Sequence, residues 1–284
     1  MPTHRPQSPP SDPLPSVSSP DDMMRDRERA EDLVLAARDE RSLPALRRRV
    51  AEALRLDPDC IIAHLLLAEV ADGPAEALAH ARDAVAAGER ALAEAIADGD
   101  THLWYQPVGR SWLQARAVLA EILWQRGDRQ QAIAEGHAIL ERNPGDNQGM
   151  RYILLEWLMQ AGSVAEIDAL LAAFDDASAA WQFAEALHRF RSQGPGPVAE
   201  KALRAAVAGN RHVVPMLSGK VRMPAELPDT YALGGEDEAA LYVHAAFAGW
   251  LSAGDAIGWA ADVVRTVAPK RPAKGKGKGK DGRG

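Results

Sequence analysis

The sequence predicts an all-α fold, and three observations lead to this prediction. Apolar residues recur at helical spacing through residues 23–267, whereas the alternation typical of half-buried strands is absent. Alanine, the residue with the highest helix propensity, is abundant. Glycine and proline interrupt the helical pattern repeatedly, usually beside aspartate, asparagine or serine. We therefore expect a succession of helices joined by tight turns.

The clearest helical hairpin lies in residues 111–144, whose sequence is SWLQARAVLAEILWQRGDRQQAIAEGHAILERNP. Gly127 and Asp128 break the first helix, and Pro144 ends the second. A 34-residue period of helix, turn, helix and terminal proline is typical of a tetratricopeptide repeat. Gly136 departs from that pattern because it stands where a bulky aromatic residue is usual. The residues that match the repeat are Leu119, Ala120, Gly127, Asp128, Ala132, Ile133, Leu140 and Pro144.

Two helix pairs precede this hairpin. The predicted helices span residues 23–40, 42–56, 59–71 and 75–97. Ser42 is a suitable N-cap for the second helix, and Pro44 falls in its first turn. Gly73-Pro74 separates the third helix from the fourth. The linker at residues 101–110 carries two aromatic residues, so we expect it to pack against the helices.

The chain continues in the same way after Pro144. The predicted helices span residues 145–161, 164–174, 178–193, 198–208, 236–253 and 256–267, with a short helical turn at 213–217. Their separators include Gly162-Ser163 and the run from Gly194 to Pro197. Five or six such pairs predict a tetratricopeptide-like, right-handed helical-hairpin solenoid. Its first helices would line a concave groove.

A narrower resemblance covers residues 110–259. The runs NPGDNQGMRY, DDASAAWQFAEALHRFR, NRHVVPMLSG and GGEDEAALYV are similar to those of tetratricopeptide proteins related to suppressor of tumorigenicity protein 7. These motifs fall in turns and helix starts rather than in the interchangeable aliphatic core. The resemblance implies a helical-repeat fold and an interaction role, and it implies no reaction.

Composition predicts a folded body between two disordered tails. Residues 1–22 are rich in proline and serine, and residues 268–284 alternate lysine with glycine. The helical-repeat domain is therefore predicted to span residues 23–267. The segment Lys270–Gly284 has seven basic residues and one acidic residue, which is a net charge of +6. Because the net charge of the whole chain is −7, the remaining residues carry about −13.

The compartment predicted from the sequence is the cytoplasm. No run of 18 apolar residues occurs, so we expect neither a membrane span nor a membrane partner. The first twenty residues lack the apolar centre of a secretory signal. Cys60 is the single cysteine, so no disulfide can form within the chain. We expect its thiol to be buried and inert.

The predicted partner-binding residues lie at the starts of first helices. Asn147 and Arg151 are four residues apart and share a helix face, where amide and guanidinium groups can hold a peptide carboxylate. The alternative is that Asn147 caps its helix and the arginines pair with Asp146, Glu156 or Glu185. The full predicted set is Arg110, Arg116, Asn147, Arg151 and Gln182.

The sequence predicts no catalytic residues, no cofactor and no metal ligands. None of the eight histidines belongs to an H-E-x-x-H motif, and a single cysteine cannot supply a Cys-pair zinc site. The paired acidic residues precede helices, where carboxylates cap free N–H groups. The GKGKGK run follows no strand and opens no helix, so it is not a phosphate-binding loop.

The predicted function is therefore that of a non-enzymatic tetratricopeptide scaffold that binds a protein or peptide in its concave groove. The alternative is a nucleic-acid-associated accessory factor. In that case the basic segment Lys270–Gly284 would bind nucleic acid weakly, mainly through counterion release.

Overall fold

The computed structural model describes residues 19–267, and within that range it contains helices and loops but no strand. The prediction of an all-α fold is confirmed. The helices belong to two compact units, and the boundary between them follows Met150. No local pattern marks this boundary, because the same helical periodicity and the same turn residues occur on both sides of it.

Helix α1 spans Pro20–Arg38 and begins inside the segment 1–22 that we predicted to be disordered. The Ser19 hydroxyl caps it by accepting a hydrogen bond from the backbone N–H of Asp22 at 3.2 Å. Pro20 occupies the first turn, where its missing N–H leaves no hydrogen bond unmade. Residues 1–18 and 268–284, which hold the rest of the two predicted tails, lie outside the described residues.

The first unit contains three helical hairpins in succession. Its other helices are α2 (Leu43–Leu56), α3 (Ile61–Glu69), α4 (Pro74–Ala91), α5 (Ala93–Ala97), a 3-10 helix (Leu103–Tyr105), α6 (Pro107–Arg126) and α7 (Arg129–Arg142). Helix α1 packs on α2, α3 on α4 and α6 on α7, and α4 also packs along α6. The pairs agree with the predicted ones, although Leu92 divides the helix predicted over residues 75–97.

Two glycines end helices at the turns predicted from the sequence. Gly127 has a left-handed φ of 88°, and the backbone N–H groups of Gly127 and Asp128 donate to the carbonyls of Trp124 and Leu123. This is a Schellman motif, which satisfies carbonyls at the end of a helix. Gly162 has a φ of 75° and donates to the Leu158 carbonyl. Both positions are bends, as predicted.

The core of the first unit depends on a close approach between α4 and α6. Gly88 of α4 is buried against the Trp112 indole of α6, so closely that a Cβ atom built on Gly88 would lie 2.3 Å from the indole Cδ1. Trp112 is 1% exposed. Cys60, at the start of α3, is buried as predicted, and burial raises the pKa of its thiol to about 11.

The second unit is built from shorter and less regular pairs. Its helices are α8 (Met150–Ala161), α9 (Val164–Ala173), α10 (Ala179–Gln193), α11 (Pro197–Gly209), α12 (Val213–Leu217), α13 (Glu236–Leu251) and α14 (Ala256–Val267). Helix α10 packs on α11, α12 on α13, and α14 on both α11 and α12. Helix α8 begins five residues later than predicted because residues 143–149 form turns, with positive φ at Asp146 and Gly149.

The core of the second unit joins α10, α11, α12, α13 and α14. Phe183 and Trp250 are fully buried there, and Tyr242 is 7% exposed. The Trp250 indole N–H donates to the Tyr242 hydroxyl at 2.7 Å, so the polar ends of two large aromatic side chains satisfy each other. Burial raises the pKa of Tyr242 well above its usual range, so the hydroxyl stays neutral.

A buried polar network holds the start of α13 in place. Glu238 is 4% exposed, and its carboxyl oxygens accept hydrogen bonds from the Ala179 N–H at 2.7 Å, the Gly234 N–H at 2.7 Å and the Asn210 amide at 2.9 Å. The Asn210 amide also donates to the Gly235 carbonyl, and its oxygen accepts from the His212 N–H. The network therefore ties three loops to one helix.

Candidate functional site

The five residues predicted to contact a partner divide between the two units. Arg110, Arg116 and Asn147 belong to the first unit, and Arg151 and Gln182 belong to the second. Arg110 and Asn147 are exposed, whereas the other three are partly buried. A partner can therefore reach Arg110 and Asn147 directly, and the other three have to be judged by the contacts they already make.

Arg116 is held inside its own hairpin. Its Nε and Nη2 atoms both lie 2.7 Å from Oε2 of Glu135 on α7, and its guanidinium lies 5.1 Å from the centroid of the Trp112 ring. The side chains of Arg116 and Glu135 are only 16% and 22% exposed. The ion pair therefore links α6 to α7, and a peptide carboxylate would have to compete with Glu135 for the guanidinium.

Arg151 is held in the same way at the start of the second unit. Its Nη2 and Nε atoms donate to Oδ2 of Asp176 at 2.7 and 3.2 Å. The Tyr152 hydroxyl donates to the same oxygen, and the backbone N–H of Ser178 donates to the other oxygen of Asp176 at 2.8 Å. The guanidinium also lies over the Tyr152 and Phe174 rings. Asp176 therefore fixes the start of α8 against the loop before α10.

The contacts of Asp176 shift its acidity. Burial alone would raise the pKa of this carboxyl group, but hydrogen bonds from Ser178, Tyr152 and Arg151 outweigh burial and lower the pKa to about 2. The carboxylate is consequently ionised throughout the neutral range. It neutralises Arg151, so this pair presents little net charge to a partner.

We expect the contribution of Asp176 to stability to disappear in acid. Its folded-state pKa of about 2 lies below the reference value of 3.8, so the contribution is complete above about pH 4 and is lost as the pH falls toward 2. The shift corresponds to about 2 kcal/mol in the free energy of unfolding. Urea denaturation at several pH values between about 5 and 2 measures it. The difference in free energy of unfolding between wild type and Asp176→Asn should shrink by that amount as the pH falls. If the two proteins lose stability in parallel over this pH range, the assignment is contradicted.

Gln182 lies against the end of α11. A Cβ atom built on Gly209 would lie 2.6 Å from Oε1 of Gln182. The Gln182 amide therefore occupies the space that a side chain at position 209 would need. The contact joins α10 to α11. Gln182 therefore has a packing role in the second unit.

Arg116 and Arg151 each have an ion-pair partner that was not considered from the sequence. Arg116 pairs with Glu135, and Arg151 pairs with Asp176. Glu185 instead pairs with Arg189 at 3.5 Å. These two partners are 19 and 25 residues away along the chain. For Arg116 the available signal was the hairpin itself, because a residue in a first helix faces residues about one helix length further on.

The second unit also brings together residue types found in hydrolase sites. His188 is nearly buried, and its Nε2 lies 3.1 Å from Oδ1 of Asp168. The Ser192 hydroxyl, however, donates to the backbone carbonyl of His188 at 2.8 Å rather than to its imidazole. An activated serine needs a base within hydrogen-bond reach of its hydroxyl. The observed contacts instead join α9 to α10.

A small cleft lies next to these residues, with an accessible volume of about 80 Å³. Its lining includes Met159, Val164, Ile167 and Arg191. Small-molecule sites usually enclose about 300 Å³ or more. This cleft is therefore too small to hold a typical metabolite.

No family model, curated protein or solved structure matches this chain. The resemblance to tetratricopeptide proteins therefore depends on the motifs of the sequence alone. Among residues 19–267, none of the helices combines the length and the apolar character that crossing a bilayer requires.

Proposed function

We propose that this chain is a non-enzymatic, tetratricopeptide-like scaffold that binds a protein or peptide partner in the groove predicted from its sequence. One observation carries the proposal, namely the construction of the first unit from three consecutive helical hairpins. Hairpins of this kind bury their apolar faces against their neighbours and present the remaining polar faces to solvent.

The accessible polar residues give the proposed surface its specificity. Arg110 and Asn147 are exposed, and a guanidinium and an amide can bind a carboxylate or backbone groups of an extended segment. Arg116 and Arg151 are instead held by ion pairs with Glu135 and Asp176, each within its own unit. In this proposal the paired arginines position helices, and the exposed residues contact the partner.

Replacing Arg110 with glutamate and Asn147 with alanine should weaken peptide binding about 10-fold or more. The reason is that hydrogen bonds to charged groups contribute about 1.5–3 kcal/mol each. Peptides are first selected from a random library on the full-length protein, and their dissociation constants are then measured by fluorescence anisotropy. Unlike replacements of Arg116 or Arg151, this double substitution breaks no buried ion pair, so the variant should fold normally.

The matched control is Arg55→Glu, which reverses the charge of an exposed arginine in the last turn of α2. It should leave the affinity of the selected peptides unchanged. Equal losses in both variants would indicate a general charge effect and would contradict the role of Arg110 and Asn147. If no library peptide binds the folded chain more tightly than the urea-unfolded chain, the scaffold proposal itself fails.

A further inference from the structure

Two histidines and an aspartate of the first unit converge on one point between α3 and α4. His64 lies on α3, and His80 and Asp83 lie on α4. One nitrogen of each imidazole and one carboxylate oxygen of Asp83 all lie within 4.8 Å of one another. His80 and Asp83 are three residues apart, so they share a helix face. Among the described residues this is the one group of three or more such side chains close enough to share a metal ion.

The contacts of the two imidazoles with neighbouring oxygens both involve Nε2 and leave Nδ1 available on each ring. Nε2 of His64 lies 3.1 Å from the Pro58 carbonyl, which accepts a hydrogen bond and so places the ring proton on Nε2. Nε2 of His80 lies 3.8 Å from Oε1 of Glu76. Within residues 19–267, Nδ1 of both histidines is buried and has no hydrogen-bond partner. Two buried ring nitrogens without a hydrogen-bond partner are unusual and call for an explanation.

This arrangement is the one that metal-binding histidines adopt. A ligating histidine typically donates its second N–H to a backbone carbonyl or a carboxylate, which fixes the tautomer and orients the ring. Pro58 supplies the carbonyl for His64, and the Glu76 carboxylate lies at ion-pair distance from Nε2 of His80. Glu76 is itself held, because its other oxygen accepts the Asp72 N–H at 2.7 Å. Both imidazoles therefore have outer partners on the side away from Nδ1.

We propose that His64, His80 and Asp83 bind a Zn²⁺ ion, with water completing the coordination. Zn²⁺ binds imidazole nitrogen and carboxylate oxygen at about 2.0–2.2 Å, which places tetrahedral ligand atoms about 3.4 Å apart. The observed separations, up to 4.8 Å, need only a small closing movement. Asp83 is exposed and can supply much of it by rotating its side chain.

The donor set selects against the common alkaline-earth ions. Mg²⁺ and Ca²⁺ prefer oxygen ligands, whereas two of the three donors here are imidazole nitrogens. Cys60 is not among the side chains whose ligand atoms converge at this point. The ion would link α3 to α4 within one hairpin. The proposal is independent of partner binding by Arg110 and Asn147.

Equilibrium dialysis of the full chain, prepared without an oligohistidine tag and stripped with a chelator, tests the site. We expect one equivalent of Zn²⁺ to bind, and at least about 100-fold weaker binding in His64→Ala, since losing even an outer partner costs 10- to 100-fold. Asp83→Asn should bind at least about 10-fold more weakly. Because Asp83 is exposed, this variant separates loss of a ligand from loss of the fold.

The control is His102→Ala, because His102 also lies beside an aspartate, Asp100, but its side chain is 80% exposed and outside the cluster. This variant should bind Zn²⁺ as the wild type does. Nitrogen-15 NMR of the histidine rings should show Nδ1, not Nε2, shifting on addition of Zn²⁺, whereas Mg²⁺ should shift neither. Unchanged Zn²⁺ affinity in both His64→Ala and Asp83→Asn would overturn the proposal, as would coordination through Nε2.

Discussion

Replacing Glu238 with alanine should lower the free energy of unfolding of the second unit by about 4 kcal/mol. The substitution leaves three buried donors without their acceptor, namely the N–H groups of Ala179 and Gly234 and the side-chain amide of Asn210. Each unsatisfied buried group costs about 1–3 kcal/mol. Partial hydration of the vacated space recovers some of that cost. Urea denaturation followed by circular dichroism measures the loss.

The control for this prediction is Asp237→Ala. Asp237 is the preceding residue in the first turn of α13, but it is exposed. Its only expected contribution is a favourable interaction with the helix dipole, so its removal should cost about 0.5 kcal/mol. If the two substitutions cost the same, the buried network does not stabilise the start of α13 as we infer.

Replacing Gly88 with alanine should destabilise the first unit by about 3 kcal/mol, although alanine has a higher helix propensity than glycine. Alanine is normally favoured over glycine in a helix by about 1 kcal/mol. At this position the new Cβ would lie 2.3–2.8 Å from three atoms of the Trp112 side chain. The indole is 1% exposed and cannot move aside without disturbing its neighbours, so the cost of overpacking dominates.

The matched control is the same substitution at Gly249, within α13. There the nearest atoms to a new Cβ are at 3.8 and 3.9 Å, which is ordinary van der Waals contact. Gly249→Ala should therefore stabilise the second unit by about 0.5–1 kcal/mol. Thermal melts of the two variants should shift in opposite directions. A stabilised Gly88→Ala protein would show that α4 and α6 do not approach each other as described.

The fold class was predictable because it depends on local patterns. The turn at Gly127 illustrates this, since glycine followed by aspartate after an apolar helix forms a Schellman motif with few requirements from the rest of the chain. The break at Leu92 was not predictable. No glycine or proline lies there, and the residues on both sides favour a helix. The boundary after Met150 depends on long-range packing and left no local signal.

The polar contacts were less predictable than the helices. Asn210 follows α11 with an extended φ of −141°, and its side chain is buried in the Glu238 network. That network joins three of the runs that carried the family resemblance. The polar residues of these runs form hydrogen bonds between loops that are distant in sequence. The sequence alone does not reveal which of them are hydrogen-bond partners.

The proposed Zn²⁺ site was missed for a similar reason. His64 and His80 lie on different helices, and no short motif contains both. Motifs such as H-E-x-x-H place ligands at a fixed spacing, whereas this site follows from the packing of α3 on α4. A histidine and an aspartate three residues apart on α4 were the available hint. They form a possible metal site only together with the third ligand, which the neighbouring helix α3 supplies.

Because Cys60 is buried, the reactivity of its thiol reports local opening of the first unit. It is the single thiol in the sequence, and it lies at the start of α3 with a pKa of about 11. A thiol in this state reacts with alkylating reagents only during excursions that expose it and allow it to ionise. The rate at which the thiol is modified under native conditions therefore measures how often the first hairpins open locally, and no label has to be introduced.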